Sequence, residues 1–187
     1  MPYLSEADRQ NLLQLARRAI TEAVSLRQLP ENIPDHGIFA ERRSVFVTVH
    51  VRGKLRGCIG VTEGDEPLGQ AITRCAASAA THDTRFPPVR ADELASLQIE
   101  ISLLSGLAPI RLEEIEIGRH GLVISQSDRR GLLLPQVAPE HGLTREEFLA
   151  ETCRKAGLPR DAWQLASTRI EGFTCDVFSE GKKSAAE

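Results

Sequence analysis

A chain of 187 residues with 41% apolar and 26% charged side chains has the makings of one globular domain with a sizeable core. Its net charge of −3 comes without a basic block, and aromatic residues are only 4% of the chain. Both features speak against nucleic-acid binding, which needs a basic patch and, for base stacking, aromatic rings.

The first ten residues are polar and lack a basic segment followed by an apolar core, so no signal peptide is expected. No apolar run approaches the roughly 18 residues of a membrane span. The four cysteines, Cys58, Cys75, Cys153 and Cys175, show no C-x-x-C spacing. A cytoplasmic protein with free thiols follows as the expectation.

In chain order, Ser5 and Asp8 make an S-x-x-D start signal. Leu12, Leu15, Ala16, Ala19, Ala23 and Val24 then recur at helical spacing, which predicts an amphipathic helix ending near Leu29-Pro30. Residues 44–52 alternate, with Val45, Val47, Val49 and Val51 on one face and Phe46, Thr48 and His50 on the other. That is a half-buried strand. Arg52-Gly53-Lys54 reads as a hairpin turn, and Leu55 to Val61 as the returning strand.

Pro67 opens a helix of small residues to about Thr81. Phe86-Pro87-Pro88 is extended, and a helical turn is expected over Asp92 to Leu97. Leu97 to Leu104 alternates as a strand, and an extended piece is expected around Ile110. Gly121 to Gln126 and Gly131 to Leu134 read as two strands around a turn. Thr144 and Glu147 cap a helix through Ala156, which Gly157-Leu158-Pro159 stops. Thr168 to Phe178 is the last strand, and 181–187 a disordered tail.

Helices and hairpin-linked strands mix without a βαβ alternation. The expected class is α+β, with a mostly antiparallel sheet flanked by helices and a small β-rich second lobe. The larger lobe is placed at about 1–105 plus 140–180, and the smaller at about 106–139.

The segment Leu55-Arg56-Gly57-Cys58-Ile59-Gly60 carries the strongest chemical signal. Glycines in a strand mark a bulge or a close approach to the backbone. Arg52, Lys54 and Arg56 are cations that favour thiolate over thiol. Cys58 is therefore the candidate nucleophile, against the plain reading of a small buried strand residue. Arg56 shares a face with Cys58 if the strand is regular, and either binds an anionic group or activates the thiol.

A base is needed beside such a thiol. His120 lies in a turn-rich junction, His82 at a helix end and His50 on the neighbouring strand. Spacing does not choose among them. Glu100, inside an apolar strand, must be paired, exposed or neutral, and Arg56 or Arg85 are candidate partners. Asp83 and Arg85 form an ion pair or line a cleft. Cys58, His82 and His120 lack the close spacing of a metal site, and neither phosphate-loop motif is present. No metal and no cofactor is expected.

The string from Leu55 to Gly60 resembles the hallmark of the AMMECR domain family, and further matches follow in order. They are Asp83 to Pro88 after an Ala-rich helix, Ile99 to Ser102, Gly118 to Leu122, Gly131 to Ala138, Phe148 to Pro159, and Trp163. The resemblance spans about Ser5 to Glu180. It implies a two-lobed α+β fold with a cleft beside the motif, and no settled activity.

Microbial members look like component A of a system with a Memo-like protein and a radical S-adenosylmethionine enzyme. Those two are the partners implied, in a shared pathway or complex. The leading expectation is an enzyme or enzyme subunit of that system. Cys58 is its nucleophile or covalent acceptor, His120 the base and Glu100 the base's partner. Arg56, Arg85 and Asp83 line an anion-binding pocket floored by Gly57 and Gly60. The alternative is a binding or adaptor subunit that uses the same cleft for a protein or small ligand, with no membrane and no nucleic acid as partner. A structural metal subunit is a third.

Overall fold

The computed structural model describes residues 4–181. The expected disordered tail lies outside them except for Gly181. The chain divides into two compact units, residues 1–103 with 177–187, and residues 104–176.

In the first unit, helix α1 spans Glu6–Leu26. The Ser5 hydroxyl accepts the Asp8 N–H at 3.1 Å, and the Ser5 N–H donates back to the Asp8 carboxylate. This reciprocal cap satisfies two of the helix's open donors. The helix ends three residues before Leu29, because Arg27 turns left-handed at φ 57°.

Strand β1, Val45–Val51, pairs antiparallel with β2, Lys54–Val61. Arg52 and Gly53 carry positive φ between them, the geometry of a two-residue hairpin turn. Helix α2 spans Leu68–Thr81, and strand β3, Leu97–Leu104, pairs antiparallel with β1 on its other side.

The four valines of β1 are fully or nearly fully buried, with Ile99, Ile101 and Leu103 beside them. They pack against Leu12, Ala16, Ala19 and Ile20 of α1 and Ile72, Cys75, Ala76 and Ala79 of α2. Small residues let the two helices pack closely on each other and on the sheet. Arg17 of α1 donates to the Leu94 and Leu97 carbonyls and pairs with Glu180, whose own N–H donates to Ile99.

The second unit holds β4, Ala108–Pro109, β5, His120–Gln126, and β6, Arg129–Leu133. It also holds α3, Val137–Glu140, and α4, Arg145–Lys155. Strand β7 runs from Arg169 to Ser179, and β4 and β5 pair antiparallel with its part in this unit. Strand β6 pairs antiparallel with β5. The architecture is α+β with antiparallel pairing.

The second unit is larger than the 106–139 lobe read from the sequence. Residues 140–176 cluster with it because Phe148, Leu149, Cys153, Leu158 and Ala162 bury against Ile115, Leu122 and Ile124. Gly131 permits this, since a Cβ there would stand 2.3 Å from the Ala156 nitrogen just past α4. Helix α3 and the 3-10 turn at Gly37–Ala40 are short elements that no sequence period signals.

Candidate functional site

The LRGCIG segment is most of β2, and its register is decided by one extra residue. Val51 pairs with Lys54 and His50 with Leu55, but Val49 pairs with Gly57 and Thr48 with Cys58. Arg56 is the bulged residue. Bulges of this kind shift the alternation of a strand by one. A regular hairpin would oppose Cys58 to Val47, on the helix-facing side. The bulge instead puts Gly57 on that side and Cys58 on the open face, across from Thr48.

Both glycines are explained by packing within the first unit. A Cβ on Gly57 would stand 1.8 Å from the Ala79 carbonyl oxygen of α2. A Cβ on Gly60 would stand 2.3 Å from the Phe46 ring and 2.5 Å from the Val45 carbonyl oxygen. The close approach expected at these positions is made by the protein's own helix and ring, so neither glycine is bare floor.

Cys58 is half-buried, and its Sγ accepts from the Thr48 hydroxyl at 3.3 Å. Its backbone groups point away from β1, where β2 has no further strand among the described residues. A side-chain pair takes the place of that strand. The Asp83 carboxylate accepts the Cys58 N–H at 2.9 Å, and Arg85 Nη2 donates to the Cys58 carbonyl at 3.1 Å. Arg85 also donates to both Asp83 oxygens, at 2.9 and 2.6 Å. Asp83 is 7% exposed. The Arg85 side chain above all, with the N–H groups of Cys58 and Arg85, holds its carboxyl well below the usual range against the opposing effect of burial.

Arg56 does not point an unpaired charge at the thiol. Its guanidinium donates to both oxygens of Glu93, at 3.1 and 2.9 Å, and to the Pro87 carbonyl. Arg56 and Arg85 are thus each bound to a carboxylate, and neither of those carboxylates is Glu100. The pairing of Glu100 with Arg56 or Arg85 is corrected accordingly.

Glu100 pairs in register with Thr48 across β1 and β3. Cys58, Thr48 and Glu100 therefore form one row over three adjacent strands on the face opposite the helices, each partly exposed. Among the described residues the Glu100 side chain makes no hydrogen bond or ion pair. Beyond Gly60 a cleft of about 510 Å³ opens over Phe46 and Gly60.

The histidines lie on different elements. His50 lies on β1 two residues from Thr48 on the same face. His82 ends α2, with its Nδ1 2.6 Å from the Thr81 hydroxyl. His120 belongs to the second unit, where its Nδ1 accepts the Glu116 N–H at 3.0 Å. Among the described residues no three His, Cys, Asp or Glu side chains are placed to hold a metal ion, and no helix is long and apolar enough to cross a membrane. Sequence reasoning did not single out Thr48 or Glu93. Alternation alone puts Thr48 on the open face, but only the bulge sets it against Cys58.

A family model, AMMECR1, matches residues 13–178. The chain belongs to the AMMECR1 family. It is 44% identical to a protein of Methanothermobacter thermautotrophicus over 95% of this chain and 96% of that one. It is 42% identical to a protein of Methanosarcina barkeri over 95% and 92% of the two chains. Among solved structures, it is similar to an uncharacterised protein of Pyrococcus horikoshii. The TM-score is 0.85 and the identity 38%, over 95% of this chain and 94% of that one. The string from Leu55 to Gly60 is thus a bulged edge strand locked to a helix through Gly57 and to a carboxylate–guanidinium pair at Cys58.

Proposed function

We propose that this AMMECR1-family chain is a thiol-dependent enzyme or enzyme subunit working from the open face of the first unit's sheet. It would act with the Memo-like protein and the radical S-adenosylmethionine enzyme that the family resemblance implies. Cys58 is its nucleophile. The observation that carries this reading is the bulge, which turns Cys58 out of the core to face the Thr48 hydroxyl. A cysteine serving only as a small core residue needs no such turn.

In the proposed step the Cys58 sulfur donates an electron pair to an electrophilic carbon and forms a bond to it. The leaving group departs with the pair it shared with that carbon. The thiol proton goes to a base, for which His50 and Glu100 are the candidates within the first unit. Asp83 and Arg85 hold the Cys58 peptide so that the sulfur stays over Thr48.

A second reading has its own support. Gly57 and Gly60 serve internal packing, and Arg56 and Arg85 serve internal ion pairs, as in an adaptor whose edge strand must be rigid. Alkylation of all four cysteines against pH, read by peptide mass spectrometry, separates the two. Selective fast reaction at Cys58, with loss of activity in Cys58→Ser in the assembled system, supports the enzyme. A Cys58 no faster than in the unfolded chain, with Cys58→Ser fully active, supports the adaptor.

A further inference from the structure

We infer that the Cys58 site takes a small electrophile carrying a positive charge, selected by Glu100, rather than the anion expected from the arginines. The inference rests on the reading of Cys58 as a nucleophile.

The argument is one of charge and register. Both arginines that touch the motif are bound to carboxylates, Arg56 to Glu93 and Arg85 to Asp83. Neither brings a net positive charge to the thiol. Glu100 is the charged member of the row, and it is unpaired among the described residues. A partly buried carboxylate without a partner is costly, and an arriving cation relieves that cost.

Distance fits a small molecule. Cα atoms in antiparallel pairs lie about 4.5 Å apart across a non-hydrogen-bonded pair and about 5.5 Å across a hydrogen-bonded one. The Cys58–Thr48 and Thr48–Glu100 pairs are one of each, so the row spans roughly 10 Å. A ligand lying across β1 sets its electrophilic carbon at the sulfur and its ammonium or guanidinium at Glu100. Phe46 and His50 flank Thr48 on the same face, and an aromatic ring beside the path favours a cation further.

The cleft over Phe46 and Gly60 is mixed in charge: Glu63, Asp65 and Glu66 border it, Arg74 is paired with Glu66, and Arg42 donates to the Asp65 carbonyl. Arg52 and Lys54 carry no ion pair among the described residues, but they sit at and beside the hairpin turn. Lys54 pairs with Val51, three positions along β1 from Thr48, and Arg52 follows one position further, roughly 10–13 Å at about 3.3 Å per residue. At physiological ionic strength the Debye length is about 8 Å, so salt screens much of their field at the thiol.

The test uses three methanethiosulfonate reagents of similar size, one cationic, one neutral and one anionic, on the intact chain. The thiolate attacks the sulfenyl sulfur, a disulfide forms, and methanesulfinate leaves with the electron pair. Rates at Cys58 are read by peptide mass spectrometry and normalised to the same reagents on the urea-unfolded chain. The cationic reagent should exceed the anionic one by at least about threefold at physiological ionic strength. With each variant's rates scaled to its own neutral rate, Glu100→Gln should abolish the cationic-over-anionic preference and Glu100→Lys should reverse it. Equal cationic and anionic rates, or a preference that survives both variants, overturn the inference. A neutral reagent no faster at folded Cys58 than in the unfolded chain overturns the nucleophile reading instead, whatever the charge preference.

Discussion

The Asp83 carboxylate accepts the N–H of Cys58 from the side of β2 that no strand covers among the described residues, while Arg85 holds the same residue's carbonyl. Two side chains thereby supply the pair of hydrogen bonds that a neighbouring strand would supply for one residue. An open sheet edge invites pairing with another chain, and this one is closed at its cysteine. The pair also carries no net charge while it steadies the Cys58 peptide.

Unbalancing that pair should move Cys58 reactivity in opposite directions. Asp83→Asn leaves the Arg85 cation against the Cys58 carbonyl, which favours the thiolate. Arg85→Gln leaves the Asp83 anion against the Cys58 N–H, which disfavours it. Alkylation of Cys58 at one fixed pH should speed up in the first variant and slow in the second. A clamp that acts only by holding the backbone would move both rates the same way.

Acid should weaken the first unit through Asp83. Its folded-state pKa is depressed, so its contribution is fully present above the unfolded value of about 3.9 and is lost as pH falls below it. Urea unfolding between about pH 7 and pH 5 should therefore give a constant stability gap between the wild type and Asp83→Asn, and below about pH 4 the gap should shrink. A gap that widens in acid would contradict the assignment.

Gly57→Ala should cost the fold at least about 2 kcal/mol, because helix backbone must move to admit the methyl group. The obstacle is the Ala79 carbonyl, 1.8 Å from the new carbon, with the Ala79 carbonyl carbon at 2.8 Å. Gly60→Ala meets the Phe46 ring, which can rotate, and the Val45 carbonyl, which cannot. It should be the milder of the two by chemical denaturation. Equal, near-zero effects would remove the packing explanation of the motif's glycines.

Cys75 should stay unmodified in the native protein at about pH 8. It is fully buried in α2, and burial pushes its thiol up to about 11. Its labelling should appear only with global unfolding, so it serves as an internal reference for Cys58 on the same peptide map.

Much of this was legible in the residues. Strict alternation in β1, the Ser5–Asp8 and Thr144–Glu147 caps and the Arg52-Gly53 turn are local signals, and each element stands within a few residues of its expected place. The family, too, is written in an ordered series of short strings. Local physics also argues that glycines around Cys58 serve a close approach.

What approaches them was decided by tertiary structure. Which carboxylate neutralises Arg56 depends on bringing Glu93 beside it from 37 residues away, and no spacing rule encodes that distance. The bulge at Arg56 depends on whether Gly57 or Cys58 can sit under the Ala79 carbonyl of α2. Only glycine fits there. That single steric constraint, set by a helix packed on the sheet, rotates the strand by one residue and turns the cysteine from the core to the open face.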